Sequence, residues 1–101
     1  MSKFPAIGYL GTSLVELLRV PNGTELDVKL IQLINNSPTI QAPVSLFITR
    51  PTFTQMIPLV PEGFLIDPGE MLRDSDGLHL PEGSAIYGSC TVSSIVSYLI
   101  T

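Results

Sequence analysis

The sequence predicts an all-β fold: an antiparallel β-sandwich, Greek-key/jelly-roll or immunoglobulin-like, of about seven to eight short strands. Three observations predict it. Helical periodicity is nearly absent. Short apolar, β-branched runs are punctuated by Pro and Gly at close intervals. Within those runs apolar and polar residues alternate, which gives a strand one buried and one solvated face.

Element by element, Leu14 to Val20 reads as a first strand ending at Pro21-Asn22-Gly23. "TELDVKLIQLIN" then reads as one long strand. Leu26, Val28, Leu30 and Ile34 share one face and Glu25, Asp27 and Lys29 the other; from Ile31 and Leu33 onward both faces turn apolar. "NNSPT" is a loop. "PVSLFITR" sets Val44, Leu46 and Ile48 against Ser45, Phe47 and Thr49. In "PTFTQMIPLVP" the prolines forbid a central strand, so the expectation is a loop and a short edge strand. "FLID", "MLRD" and "GLHL" follow, separated by Asp67-Pro68-Gly69-Glu70 and an "SDG" loop. "SAIYGSC" and "TVSSIVSYLIT" are expected as the last pair, the latter with Val92, Ser94, Val96, Tyr98 and Ile100 on one face. Residues 1–10 read as an N-terminal arm, and 11–101 as a single sandwich domain.

The motif [VL]-P-x-G-x-x-[LI] occurs three times, as "VPNGTEL", "VPEGFLI" and "LPEGSAI". Unrelated sequence separates the copies, so they are not solenoid repeats. No helix follows and the glycines are too few for a phosphate-cradling loop. The motif reads as turn chemistry. Pro presets φ at the second position of a type I turn, and Gly supplies the left-handed residue at re-entry into the next strand; Asp67-Pro68-Gly69 reads as type II.

The chain of 101 residues has room for one domain and one core. It is 45% hydrophobic and 14% charged, against about 25% charged in an average domain. So small a domain cannot bury all that apolar surface internally, which points to a subunit that buries it against partners. A net charge of −4 and five dispersed Lys and Arg residues exclude a phosphate-tracking stripe, so no nucleic acid is expected. No run approaches the ~20 apolar residues of a membrane span, and no membrane partner is expected. The start "MSKFPAIGYLG" does not read as a secretory signal. A lone Cys90 suits folding in a reducing cytosol and reads as a buried structural thiol; the sequons at Asn22 and Asn35 then read as chance matches.

Candidate chemistry is sparse, and no catalytic, cofactor or metal residue is expected. His79 is the one histidine, without a nucleophile or ligand partner in reach of the sequence pattern, and reads as an exposed strand residue. Asp74-Ser75-Asp76-Gly77 opens like a calcium loop, but Leu78 and Ala85 stand where further oxygen ligands belong, so it reads as an acidic turn. Glu62, Glu70 and Glu82 sit in turns and make no carboxylate pair. Phe47, Phe53, Phe64, Tyr87 and Tyr98, with no Trp in the chain, read as core rather than as a sugar platform.

The succession "VPNGTELDVKLIQLINNS", "VSLFITRP", "IPLVPEGFLIDPGEML", "GLHLPEGSAIYGSCTVSSIVSYLI" resembles small single-domain β-sandwich virion proteins of tailed bacteriophages, many of them cyanophages. The likeness runs from Ile7 to Ile100, and the stretch "LVPEGFLIDPGEML" departs from it in carrying more prolines. The resemblance implies an assembled, non-catalytic role; the leading expectation is a virion structural protein, made in the host cytoplasm and carried on the capsid surface as a cement or decoration protein. Its partners would be copies of itself and the major capsid protein, with strand edges pairing across subunits. A tail, neck or baseplate subunit, or a host-surface-binding module, is the alternative. Expected contact residues are Phe4, Ile7 and Tyr9 in the N-terminal arm, and Phe53, Met56, Ile57 and Phe64 in the proline-rich segment.

Overall fold

Short alternating runs broken by Pro and Gly can bury one face each only by stacking two sheets, and the computed structural model, which describes residues 4–52 and 55–101, does so. Eleven strands and no helix are present among the described residues: β1 (Ala6–Tyr9), β2 (Val15–Arg19), β3 (Leu26–Val28), β4 (Ile31–Asn35), β5 (Ala42–Thr49), β6 (Ile57–Pro58), β7 (Phe64–Ile66), β8 (Met71–Asp74), β9 (Leu78–Leu80), β10 (Ala85–Cys90) and β11 (Val96–Ile100). One sheet runs β1-β11-β4-β8. The second runs β2-β10-β5, with β6 and β7 both on the far side of β5, and β3 pairs β9 in a separate ribbon. All pairings are antiparallel. The chain passes between the sheets at β1 to β2, β4 to β5, β7 to β8 and β10 to β11. That wiring is a jelly roll, one of the sandwich topologies expected.

The core lies between the sheets and includes Leu18, Leu33, Val44, Leu46, Ile86, Val96 and Ile100. In β5 every second residue from Ala42 is buried, as the alternation predicts. A bulge in β2 aligns Ile86 with Leu18 and Tyr87 with Glu16, leaving Leu17 unpaired. The extra residue lets two consecutive leucines, Leu17 and Leu18, both enter the core.

Three expectations change. "TELDVKLIQLIN" is two strands, because the Lys29 and Leu30 N–H groups donate to the Thr101 carbonyl (2.7 and 2.9 Å) and break the run. The facing then shifts by one, so Ile31 and Leu33 enter the core and Ile34 points outward. "SAIYGSC" and the last strand are not a hairpin: Ser94, at φ 65°, lies in a corner between them, and β10 and β11 lie in different sheets. Residues 6–9, expected within an arm, form β1, hydrogen-bonded to β11 along its length.

The triplicate motif is a turn in every copy, though not of the expected type. The residue after Gly donates its N–H to the Pro carbonyl in each: Thr24 to Pro21, Phe64 to Pro61 and Ser84 to Pro81. Pro therefore occupies the first position and Gly the third, at φ 82°, 75° and 78°, which is type II geometry. Asp67-Pro68-Gly69-Glu70 is also type II, with Pro at the second position (Glu70 N–H to Asp67 O, 3.0 Å). None of the three copies closes a hairpin. The copies after Val20 and Leu80 sit side by side where the β2–β10 ladder gives way to the β3–β9 ribbon. Val20 N–H donates to Ser84 O, Gly83 N–H to Val20 O, and Gly23 N–H to the Glu82 carboxylate. The copy after Val60 offsets β7 from β6, two pieces of one interrupted edge strand.

Candidate interaction surface

Cross-strand register decides which side chains share the outer face of the β1-β11-β4-β8 sheet. Ile7 is opposite Leu99, which is opposite Gln32, then Arg73; the next row is Tyr9, Ser97, Ile34, Met71. Five of these eight side chains are apolar, and they point away from the core. Ile7 is 71% exposed, Tyr9 62% and Met71 52%, while Leu99 and Ile34 are half-buried by their neighbours. Arg73 is the one charge in the two rows. The outer face of the other sheet is mixed: Glu16 and Arg19 form an ion pair (2.6 Å), Arg19 donates to the Tyr87 hydroxyl (3.2 Å), and Ser45, Ser89 and Thr49 lie among Tyr87, Phe47 and Leu65.

The inner side of the same strands explains why β1 keeps its place. Gly8 lies opposite Tyr98, whose ring occupies the space a side chain would take; a Cβ there would fall 2.9 Å from the Tyr98 hydroxyl oxygen. Ala6 is buried, and Leu10 N–H donates to Val96 O at 2.8 Å. The exposed Ile7 and Tyr9 are thus carried on a strand packed from its inner side.

The expected contact residues divide between two places. Ile7 and Tyr9 lie together on β1, and Phe4 precedes them at 40% exposure. Met56 (40%) and Ile57 (47%) are exposed at the opposite edge of the sandwich, where β6 borders the second sheet. Phe64 lies opposite Val44 and packs partly buried against the core. Phe53 lies outside the described residues. Ile34, Leu99 and Met71 were not among the expected residues. Their signal was the apolar content of both faces of "IQLIN" and of the last strand, which requires a cover on the outside.

Elsewhere the described residues offer little chemistry. A cavity of about 120 Å³ between the sheets is lined by Val28, Ile31, Leu46, Leu59, Leu72 and Leu78 among others, and Asp74 is the one ionisable group on its wall among the described residues. His79 is exposed on β9 and bridges two carboxylates, its Nδ1 2.7 Å from Asp27 and its Nε2 2.8 Å from Glu25, both donating N–H bonds when the ring is protonated. The Asp27 hydrogen bond, with the negative charge of both carboxylates, raises the His79 pKa above 6.5. With all three side chains more than half exposed this is a surface ion cluster. Asp74 Oδ1 accepts the Asp76 N–H (2.9 Å), which closes the acidic turn locally. Cys90 is buried at the end of β10. Asn35 is fully buried, so its sequon is inaccessible in the folded chain.

No protein-family model matches the chain, and no curated protein and no solved structure does so either.

Proposed function

We propose that the chain is a non-catalytic structural subunit of a bacteriophage virion, a cement or decoration protein that binds the major capsid protein and copies of itself. The observation that carries this reading is the apolar outer face formed by Ile7, Tyr9, Ile34, Leu99 and Met71. It is joined by the sequence resemblance to virion proteins described above. A small sandwich that presents such a face from rigid strands is suited to holding another surface. Covering the exposed parts of Ile7, Tyr9 and Met71 removes roughly 300 Å² from water, about 7 kcal/mol gross at ~25 cal/mol per Å². That lies within the ~4–15 kcal/mol that association itself opposes. The face alone makes a weak contact, and the reading expects several contacts per copy, as a particle lattice provides.

The test is incorporation. Particles assembled with the Ile34→Lys/Met71→Lys variant should carry at most about a tenth of the wild-type copy number by quantitative mass spectrometry, since two unpaired charges buried at a contact weaken it by more than tenfold. Unchanged incorporation of a folded variant rules out this face as the contact.

A further inference from the structure

The free edge of β1 points to a partner of its own. In an antiparallel ladder, residues alternate between directing N–H and C=O toward the neighbouring strand and directing them away. Leu10 N–H donates to Val96 O across the β1–β11 register, which fixes the phase. Gly8 and Ala6 therefore bond inward to β11, and the N–H and C=O groups of Ile7 and Tyr9 project from the opposite edge, where no described strand pairs with them. Edge strands are kept from pairing by a charge, a bulge, a proline, a very short length or a covering segment. Ala6-Ile7-Gly8-Tyr9 is short but carries no charge, bulge or proline, and Pro5, which lacks an N–H, stands only at its start.

From this edge we infer that two copies of the chain pair through β1, antiparallel about a two-fold axis at Gly8, and join their β1-β11-β4-β8 sheets into one of eight strands. The register is self-complementary. Ile7 N–H donates to Tyr9 C=O of the second copy and Tyr9 N–H to Ile7 C=O, and the symmetry repeats both bonds, giving four. Gly8 meets Gly8 as the close, non-hydrogen-bonded pair, and each exposed Ile7 side chain lies across from a Tyr9 ring, a favourable β-branched–aromatic pair. The pairing is isologous and closed, so it ends at a dimer rather than a fibre. Pairing in the plane of the sheet covers the backbone edge and the flanks of Ile7 and Tyr9 but leaves their outward faces open, so the contact stays well below the ~800 Å² per copy of a standard specific interface. The dimer is accordingly weak and concentration-dependent in solution, and the apolar outer faces of both copies lie side by side in it. The pairing does not rest on the virion role: a chain that dimerises but never enters particles leaves it standing and removes that role.

The experiment is sedimentation velocity on the purified full chain over two decades of concentration, with amide hydrogen exchange read at both ends of the series. The expected result is a monomer–dimer equilibrium in which the Ile7 and Tyr9 amides gain protection as dimer forms, while Gly8 and Leu10 are protected throughout. Ile7→Pro removes only the outward donor and leaves every β1–β11 bond in place. It should raise the dimer dissociation constant about 30-fold, the loss of two of four bonds at ~1 kcal/mol each. If that variant fails to fold, Ile7→Lys, which places a charge beside the edge, supplies the same test. Met71→Lys, on the same face but at the far strand, should leave dimerisation unchanged. A monomer at every concentration, an Ile7→Pro dimer as strong as wild type, or equal weakening by Met71→Lys would each overturn the pairing.

Discussion

Replacing Asn35 by leucine should be among the most damaging single changes outside the apolar core. Asn35 is fully buried at the end of β4, and all three hydrogen-bonding capacities of its side chain that face protein are used. Nδ2 donates to the carbonyls of Ile40 (2.7 Å) and Ile66 (2.9 Å), and Oδ1 accepts the Ser37 N–H (3.0 Å). Leucine is close in size and keeps the packing, but it takes the side-chain partner from all three backbone groups. The Ile40 carbonyl is only partly buried and regains water. The Ile66 carbonyl keeps its place opposite Ala42 in the β5–β7 ladder, so the Ser37 N–H is the stranded group; at about 1–3 kcal/mol for it and ~0.5–1.5 kcal/mol for each of the other two lost bonds, the expected loss is roughly 2–5 kcal/mol. That is a large share of the ~5–15 kcal/mol of a typical domain, and it corresponds to a fall in Tm of roughly 10–25 °C for a chain of this size. Urea unfolding followed by far-UV circular dichroism measures it directly, with m unchanged and the midpoint lowered. Asn35→Asp sharpens the reasoning. Its carboxylate would face two carbonyl oxygens while buried, so its folded pKa would rise above the unfolded value, and the damage would grow as pH rises through the folded pKa. A loss below about 1 kcal/mol in Asn35→Leu, or an Asn35→Asp penalty independent of pH between 4 and 8, would refute the claim that this side chain ties β4 to the β7 segment.

Other predictions follow from single residues. Because Asp27 raises the His79 pKa above its unfolded 6.5, the cluster's stabilising contribution is fully present below that value and is lost as pH rises through the folded pKa; the ring-proton titration by NMR should shift downward in Asp27→Asn. Gly63→Ala and Gly83→Ala both place a side chain at positive φ, which opposes each by about 1–2 kcal/mol. At Gly83 the new Cβ would also lie 2.7 Å from Pro51 Cγ, whereas the space at Gly63 is open, so thermal denaturation should rank Gly83→Ala as the less stable by at least ~1 kcal/mol. Leu33→Ala empties a fully buried position opposite Tyr98 and Leu72 and should lower the unfolding free energy by about 2–5 kcal/mol in the same assay.

What the sequence reveals of this fold is whatever is encoded locally. The alternation of Val44, Leu46 and Ile48 with Ser45, Phe47 and Thr49 predicts the two faces of β5, because the side-chain period of a strand is a property of its own residues. The turns are legible for the same reason. Their type is not, because Pro suits more than one turn position and only the hydrogen bond from Thr24, Phe64 or Ser84 back to Pro selects between them. The break at Lys29 and Leu30 depends on the carbonyl of Thr101, at the other end of the chain, and no local pattern contains it. The sheet change between β10 and β11 is a matter of topology, which neighbouring strands do not specify. Asn35 reads as a loop residue because its side-chain partners at Ile40 and Ile66 come from separate segments. The candidate surface is half legible. Ile7 and Tyr9 stand out where no core position claims them. Ile34, Leu99 and Met71 join them only once the β1-β11-β4-β8 order sets them in the same two rows.

The most direct test of the proposed role is a gold-labelled antibody against this protein on negatively stained particles from whatever source encodes it. The account predicts label spread over the heads. Label confined to the tail or its tip would contradict a capsid cement in favour of a tail subunit or adhesin, and unlabelled particles with soluble protein in the lysate would contradict a virion role altogether.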